Sequence, residues 1–224
     1  VEYSRSSAAG RVQQVECSRS SFRAARNSAT PRCTESDGRR VSDCVVACVH
    51  KTAMIRLVRV LEPSVARAAA DRIRPLGRAA DPIWGKDKLR RMTALPDDEP
   101  VREPLMQTLH AHGLLEGRIS RDIVVLHSYV GCAQQGFHTD YPVRAVARAP
   151  KKPLGVLLAL ESQTRLVVEE GEISVPPGWA CIFDGDLVHA GAAYDTENTR
   201  VHVYLDAPSV DRPSNMVWPV RGVA

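Results

Sequence analysis

The sequence predicts an α+β fold in which a jelly roll of short strands packs on helices that precede it along the chain. Apolar residues recur at helical spacing over 52–118, and the period changes to that of strands from 121 onward. About eight short β-prone segments then follow, separated by Gly, Pro and Asp residues. Many short strands at close spacing after a helical region are typical of a jelly roll with helical supports.

Two helices are predicted in the region before the strands. Pro63 suits the first turn of a helix that continues through Ile73, and Pro75 and Gly77 are expected to end it. A second helix is predicted over 103–115, where Leu residues recur on one side. These two helices are expected to support one side of the strands.

The strands are predicted from their composition and from the turn residues between them. They are predicted over 122–130, 154–160, 165–169, 172–175, 179–183 and 200–206. The continuous apolar run over 154–160 is typical of a strand that is buried on both faces.

The last of these strands alternates strictly between polar and apolar residues. Arg200, His202 and Tyr204 lie on one face, and Val201, Val203 and Leu205 lie on the other. We expect the apolar face to pack outward against the helices. The polar face should then line the interior of the barrel.

The distribution of charge divides the chain into two regions. Residues 1–40 hold eight Arg and four acidic residues, so this segment accounts for the whole net charge of +4. Because it lacks apolar periodicity, 1–50 is interpreted as a disordered Arg- and Ser-rich tail. Residues 51–224 are interpreted as one domain, with helical support at 52–118 and a jelly-roll core at 120–208. Residues 41–224 carry no net charge, so the part of the chain after the basic segment gives no electrostatic case for nucleic-acid binding.

The spacing of the cysteines and the hydropathy of the chain predict the kind of compartment in which it functions. The six cysteines do not form the spacing of a disulfide framework, so a reducing, intracellular compartment is expected. No run of about 18 apolar residues occurs, so no transmembrane span is predicted. The chain begins with Val rather than Met, as in a fragment or a processed form.

Three residues have the chemistry and spacing of a metal site. His138 and Asp140 are two residues apart on a predicted strand, so their side chains point to the same face. A strand, a tight turn at Asp184-Gly185-Asp186 and a further short strand then deliver His189. Two His and one carboxylate on one metal form the facial triad of non-haem Fe(II) oxygenases, which leaves three coordination positions open for an oxo acid and dioxygen.

A basic residue follows the second histidine at a useful distance. Arg200 lies eleven residues after His189, at the start of the next strand. A hairpin through the polar loop 194–199 would bring Arg200 back beside the metal. Guanidinium binds a carboxylate bidentately and stays charged, so Arg200 is the predicted partner of the far carboxylate of an oxo acid.

The order of these residues resembles the Fe(II)/2-oxoglutarate-dependent dioxygenase superfamily, in particular its prolyl hydroxylase-like and phytanoyl-CoA dioxygenase-like members. The resemblance rests on His138-x-Asp140, His189 and Arg200 in this order, and on Pro-Pro-Gly-Trp-Ala-Cys-Ile-Phe-Asp-Gly-Asp before the second histidine. It covers residues 120–208. It implies a double-stranded β-helix, the cupin-like jelly roll, with Fe(II) on the two His and the Asp and with 2-oxoglutarate on the Arg.

The resemblance also implies a cosubstrate tyrosine and a reaction. Tyr129, nine residues before His138, matches a tyrosine whose hydroxyl lies near the oxoglutarate in many members. The implied reaction uses O2 to hydroxylate a C–H bond and converts 2-oxoglutarate to succinate and CO2. Protein side chains, lipids and small metabolites are all open as substrates, and the resemblance does not fix an oligomeric state.

Departures from the family pattern narrow the expectation. The additional arginines of AlkB-like members have no counterpart after the distal strand, which argues against nucleic-acid demethylation. Asp140 is present where halogenating relatives have a small residue, which favours hydroxylation. Two alternatives stay open. One is a cupin-like metalloenzyme that does not use oxoglutarate, and the other is a jelly-roll binding module without catalysis.

Overall fold

The computed structural model describes residues 46–50, 53–83, 87–213 and 216–220. The helices in these residues are α1 (Pro63–Ala79), α2 (Arg102–Ala111) and α3 (Val143–Val146). The strands are β1 (Val46–His50), β2 (Ala53–Arg59), β3 (Asp81–Pro82), β4 (Arg90–Ala94), β5 (Ile119–Ser128), β6 (His138–Thr139), β7 (Leu154–Ala159), β8 (Arg165–Val168), β9 (Gly171–Ser174), β10 (Trp179–Asp184), β11 (His189–Gly191), β12 (Asn198–Asp206) and β13 (Trp218–Pro219).

The described strands form two antiparallel sheets. The larger sheet has the order β1-β2-β10-β7-β12-β5-β4-β3, and the smaller has the order β13-β6-β11-β8-β9. From β5 to β12 the chain passes back and forth between the two sheets, as it does in a jelly roll. The predicted α+β class, a double-stranded β-helix with helices before it, is confirmed.

Helices α1 and α2 cover the outer face of the larger sheet. The buried face of α1 has helical spacing and consists of Ala66, Ala69, Ala70, Ile73 and Gly77. Leu105 and Leu109 of α2 belong to the same apolar core. The apolar face of β12 packs into this core too, which confirms the predicted orientation of its side chains.

A second apolar core lies between the two sheets. Ile55, Leu157 and Phe183 enter it from the larger sheet, and Leu166 and Val168 enter it from the smaller one. All six residues of β7 are buried, as predicted for a strand that is covered on both faces. The inner faces of the strands are therefore held at a fixed separation, and the cavity described below opens within this layer.

Strands replace several segments that were predicted as tail or helix. β1 pairs with β2, and β2 pairs with β10, so the larger sheet begins inside the predicted tail. Val46–His50 therefore form a strand within the predicted tail, and residues 1–45 lie outside the described residues. β2 and β4 likewise lie within the predicted helical region 52–118. Judged by periodicity, apolar runs this short fit a helix or a strand equally well. Here pairing with neighbouring strands of the sheet selects the strand.

Helix α1 runs past its predicted end. Pro75 lies inside the helix, which continues to Ala79. Proline removes one hydrogen bond from a helix, and here the buried face of α1 holds the helix together across it. Gly77 serves close packing instead of termination, because a Cβ at this position would lie 2.6 Å from the Cβ of His127 on β5.

Helix α2 is shorter than predicted. It ends at Ala111, and Gly113 follows with a φ of 67°, a left-handed conformation that favours glycine. None of the three helices in the described residues is long and apolar enough to cross a membrane.

Candidate metal centre

Two histidines face each other across strands β6 and β11. His138 opens β6, His189 opens β11, and the two residues are direct partners in the antiparallel register. Their ring centroids are 4.6 Å apart. Directly opposed residues on neighbouring strands point to the same face of a sheet. The register therefore brings together two imidazoles that are 51 residues apart in the sequence.

Asp140 follows β6 directly and completes the cluster. Its Oδ1 lies 3.7 Å from Nε2 of His189. One ligand atom from each of the three side chains lies within 4.8 Å of the others. All three residues are buried, and the most exposed, His138, keeps 8% of its surface accessible. The three residues that the sequence singled out are thus brought together in one place.

Backbone carbonyls fix which nitrogen of each histidine faces the cluster. Nδ1 of His138 lies 2.9 Å from the carbonyl of Gly136, and Nδ1 of His189 lies 3.0 Å from the carbonyl of Leu187. Because a carbonyl oxygen only accepts, each Nδ1 carries the proton and donates it. The lone pair of each Nε2 is therefore available to the cluster. A metal-bound imidazole usually donates its other ring N–H to a backbone carbonyl in this way.

Burial sets the charge of the three side chains. It lowers the pKa of His138 to about 4, an effect to which the neighbouring His189 adds, and it lowers the pKa of His189 to about 4. Burial also raises the pKa of Asp140 to about 6. Both histidines are therefore neutral at pH 7, the form that binds metals. Two neutral imidazoles and one carboxylate form a donor set that suits a divalent metal ion.

Arg200 lies on the inner face of β12 with only neutral partners. It is 4% exposed, and its Nη1 lies 3.0 Å from Oγ of Ser128 and 3.4 Å from Oδ1 of Asn198. Its guanidinium carbon lies 5.3 Å from the centre of the Tyr194 ring. Within the described part of the chain, no carboxylate pairs with Arg200. A buried guanidinium without a counter-ion favours the binding of an anion.

The clustered side chains of His138, Asp140 and His189 line one cavity of about 70 Å³, together with Arg200. Its apolar wall includes Leu126, Leu157 and Phe183. A wider groove of about 590 Å³ shares Ile83, Gln135 and His138 with this cavity. The groove therefore adjoins the cavity on the side of His138.

Tyr129 does not reach this cavity. Its hydroxyl donates to the carbonyl of Arg78, 2.9 Å away, and its ring packs edge-on against His127 with the centroids 4.8 Å apart. Leu126 of β5 lines the cavity, and Tyr129, an odd number of residues further, faces the helix side. Tyr129 therefore does not lie where its predicted role beside the cosubstrate requires. Among the described tyrosines, Tyr204 lines the cavity.

Sequence reasoning missed the contribution of Gly155, the second residue of β7. A Cβ at this position would lie 2.4 Å from the Phe183 ring and 2.9 Å from Oδ2 of Asp140. The site therefore depends on the absence of a side chain here. The available signal was a glycine within an otherwise unbroken apolar strand, which often marks a close approach.

No family model and no curated protein matches this sequence. Solved structures match its fold. A viral collagen prolyl hydroxylase from Paramecium bursaria Chlorella virus-1, in complex with 2-oxoglutarate, superposes with a TM-score of 0.50 at 12% identity, over 67% of this chain and 94% of that chain. HygX from Streptomyces hygroscopicus, with nickel and 2-oxoglutarate bound, gives a TM-score of 0.52 at 9% identity, over 69% of this chain and 83% of that one.

A third match is a prolyl hydroxylase from Trichoplax adhaerens in complex with a peptide fragment of the hypoxia inducible factor oxygen degradation domain. Its TM-score is 0.50 at 11% identity, over 68% of this chain and 83% of that one. The chain therefore shares the fold of these three solved structures. In this fold, the two histidines belong to the smaller sheet and Arg200 belongs to the larger one. The cavity therefore lies between the sheets.

Proposed function

We propose that this chain is an Fe(II)- and 2-oxoglutarate-dependent dioxygenase that hydroxylates a C–H bond of its substrate and releases succinate and CO2. The observation that carries the proposal is the shared cavity. It holds a buried cluster of two neutral histidines and one carboxylate. Beside them lies a buried arginine that has no carboxylate partner among the residues described. A metal and a dicarboxylic oxo acid together satisfy both features.

His138, Asp140 and His189 would hold the iron. Nε2 of each histidine and Oδ1 of Asp140 are the atoms that face the cluster. When bound, the iron activates dioxygen and supplies the oxidative chemistry. The chain contributes rigid placement, because both imidazoles are fixed by backbone carbonyls and all three ligands are buried.

Arg200 would bind the distal carboxylate of 2-oxoglutarate. The iron dication and Arg200, less the Asp140 carboxylate, leave two positive charges, which the oxoglutarate dianion neutralises. Ser128 and Asn198 hold the guanidinium from one side, and Tyr194 packs against its face. A fixed guanidinium loses little freedom when it binds, which favours tight and selective recognition of a carboxylate.

The apolar wall excludes water and the groove admits the substrate. Leu126, Leu157 and Phe183 surround the reacting centre with apolar surface. The groove beyond His138 is lined by apolar groups such as Phe137 and Pro219 and by amides such as Gln134. This surface suits a substrate that presents one C–H group to the metal while the rest of it stays outside the cavity.

Anaerobic titration tests the proposal. The iron-loaded chain is titrated with 2-oxoglutarate while the absorption band that arises from chelation is recorded, and succinate is then measured after oxygen is admitted. We expect one oxoglutarate per iron, and succinate that depends on both. Iron binding without an oxoglutarate response would favour the cupin-like metalloenzyme. A chain that binds no iron would favour the non-catalytic binding module.

A further inference from the structure

His202 occupies the middle of the polar face of β12, beside the metal cluster. It is 5% exposed and lines the cavity, yet it is not one of the three clustered ligands. Its backbone is held on both sides, opposite Val124 of β5 and Leu157 of β7. The histidine therefore has a fixed place in the centre of the larger sheet.

The two carboxylate oxygens of Asp140 face different histidines. Oδ1 lies 3.7 Å from Nε2 of His189, on the side of the cluster. Oδ2 lies 3.5 Å from Nε2 of His202. Oδ2 is buried and has no hydrogen-bond partner among the described residues. A buried carboxylate oxygen without a hydrogen-bond donor costs free energy of folding, so a donor beside Oδ2 would stabilise the chain.

Aromatic contacts fix the plane of the His202 ring. The Phe183 ring stacks on it at 15° with the centroids 6.1 Å apart, and the Tyr204 ring meets it edge-on with the centroids 4.3 Å apart. The ring can tilt only slightly between these neighbours. Gly155 keeps the space beside Oδ2 free of any side chain, since a Cβ there would lie 2.9 Å from that oxygen.

We propose that His202 is a positioning residue that donates its Nε2–H to Oδ2 of Asp140 and thereby presents Oδ1 to the metal. A carboxylate ligand held at one oxygen binds through the other with less loss of freedom. Donors that support a ligand in this way typically contribute about 10–100-fold to metal affinity. The inference rests on the metal site of the proposed function but not on oxoglutarate or on any substrate.

Metal titration of the apo chain tests this role without turnover. Affinity for Fe(II) under anaerobic conditions, and for Co(II) with its visible absorption spectrum, is measured for the parent chain, His202→Leu and His202→Gln. The leucine variant fills similar space without a donor, and we expect its affinity to fall roughly 10–100-fold. The glutamine variant keeps an N–H donor and should recover most of the loss. The Co(II) spectrum should shift in the leucine variant.

His127→Leu is the matched control. His127 is buried as well, but it lies on the helix side of β5, where its Nδ1 is 3.0 Å from Oγ1 of Thr199. Its loss should lower the free energy of unfolding and leave the metal affinity unchanged, which separates a general loss of packing from an effect on the ligand.

The outcomes are distinct. Metal binding by the parent chain decides whether the metal site of the proposed function exists, and the variants decide the role of His202. Equal affinities in the parent and in His202→Leu would overturn the inference. A glutamine variant as weak as the leucine variant would overturn it as well, because the N–H donor would then not matter.

Discussion

The guanidinium carbon of Arg212 lies 3.8 Å from the centre of the ring of Tyr204, which lines the cavity beside the His138–Asp140–His189 cluster. Arg212 also pairs with Asp122 and, at 3.4 Å, with Asp206, whose Oδ1 accepts a hydrogen bond of 2.6 Å from the hydroxyl of Tyr141. Tyr141 is the residue after Asp140. A side chain from beyond the predicted jelly-roll core thus joins strand β12 to the loop that carries Asp140.

Replacing Arg212 by Met should destabilise the chain by about 3 kcal/mol, because the buried Asp206 would keep only the largely exposed Arg121, 3.7 Å away, as a cation. Arg212→Lys should cost less, since it keeps the charge and loses the stacking. Urea denaturation of the metal-free chain measures both. Arg102→Met is the control: its partner Asp97 is 98% exposed, so a change below about 1 kcal/mol is expected. Equal effects of Arg212→Met and Arg102→Met would contradict the prediction.

His189→Ala should abolish metal binding, with a loss greater than the roughly 10–100-fold of an outer-shell change. The variant removes one of three donors and opens the cavity beside His138. Equilibrium dialysis with Fe(II) under anaerobic conditions measures the loss. His110→Ala, at an exposed position of α2, serves as the control and should bind like the parent. A His189→Ala chain that retains iron as tightly as the parent would show that the ligands are assigned incorrectly.

Arg200→Ala should weaken oxoglutarate binding by about ten- to a hundredfold, while iron affinity stays near that of the parent. The lost charged hydrogen bond is worth about 1.5–3 kcal/mol. Arg200→Lys should fall between the two, since Lys keeps the charge and loses the bidentate fork. Oxoglutarate titration of each iron-loaded variant measures the effect.

Arg165→Ala is the control for that series, since Arg165 lines the same cavity and already pairs with Glu172 at 3.2 Å. We expect a smaller shift from it. Unchanged oxoglutarate affinity in Arg200→Ala would mean that another group holds the carboxylate, or that the cosubstrate is a different molecule.

Gly155→Ala should lower both stability and metal affinity. The added methyl group meets the Phe183 ring and Oδ2 of Asp140 in a strand that is buried on both faces, and overpacking of this kind costs about 1–3 kcal/mol. Thermal unfolding and metal titration measure the two effects. At Gly136, near the same site, an added Cβ meets nothing within 4 Å, so Gly136→Ala should be silent in both assays. A silent Gly155→Ala would show that the strand shifts to make room.

The sequence predicted the parts of the site that depend on strand alternation. In β12 a period of two leaves one choice of faces once the apolar residues pack on the helices, so Arg200, His202 and Tyr204 had to face inward. The same rule places His138 and Asp140 together. To predict that His138 lies beside His189, the tight turn at Asp184–Asp186 had to be recognised as well.

Features that depend on distant contacts could not be predicted. Arg212 lies in a segment without periodicity, and its partners are up to 90 residues away in the sequence. The cosubstrate role of Tyr129 came from the family resemblance, but the loop between Tyr129 and His138 does not continue the strand, so the position in the sequence does not determine where the side chain lies. β2 was ambiguous because seven residues are too few to separate a strand from a helix by periodicity.

The register that opposes His138 to His189 joins two very short strands, β6 with two residues and β11 with three. Strands of this length contribute few ladder hydrogen bonds, so an ion held between them would act as a cross-link between distant parts of the chain. An ion present at 100 times its dissociation constant stabilises the folded state by about 2.7 kcal/mol. The supply of metal would then govern how long the polypeptide survives proteolysis as well as how much of it is active, and starvation for the ion would lower its abundance.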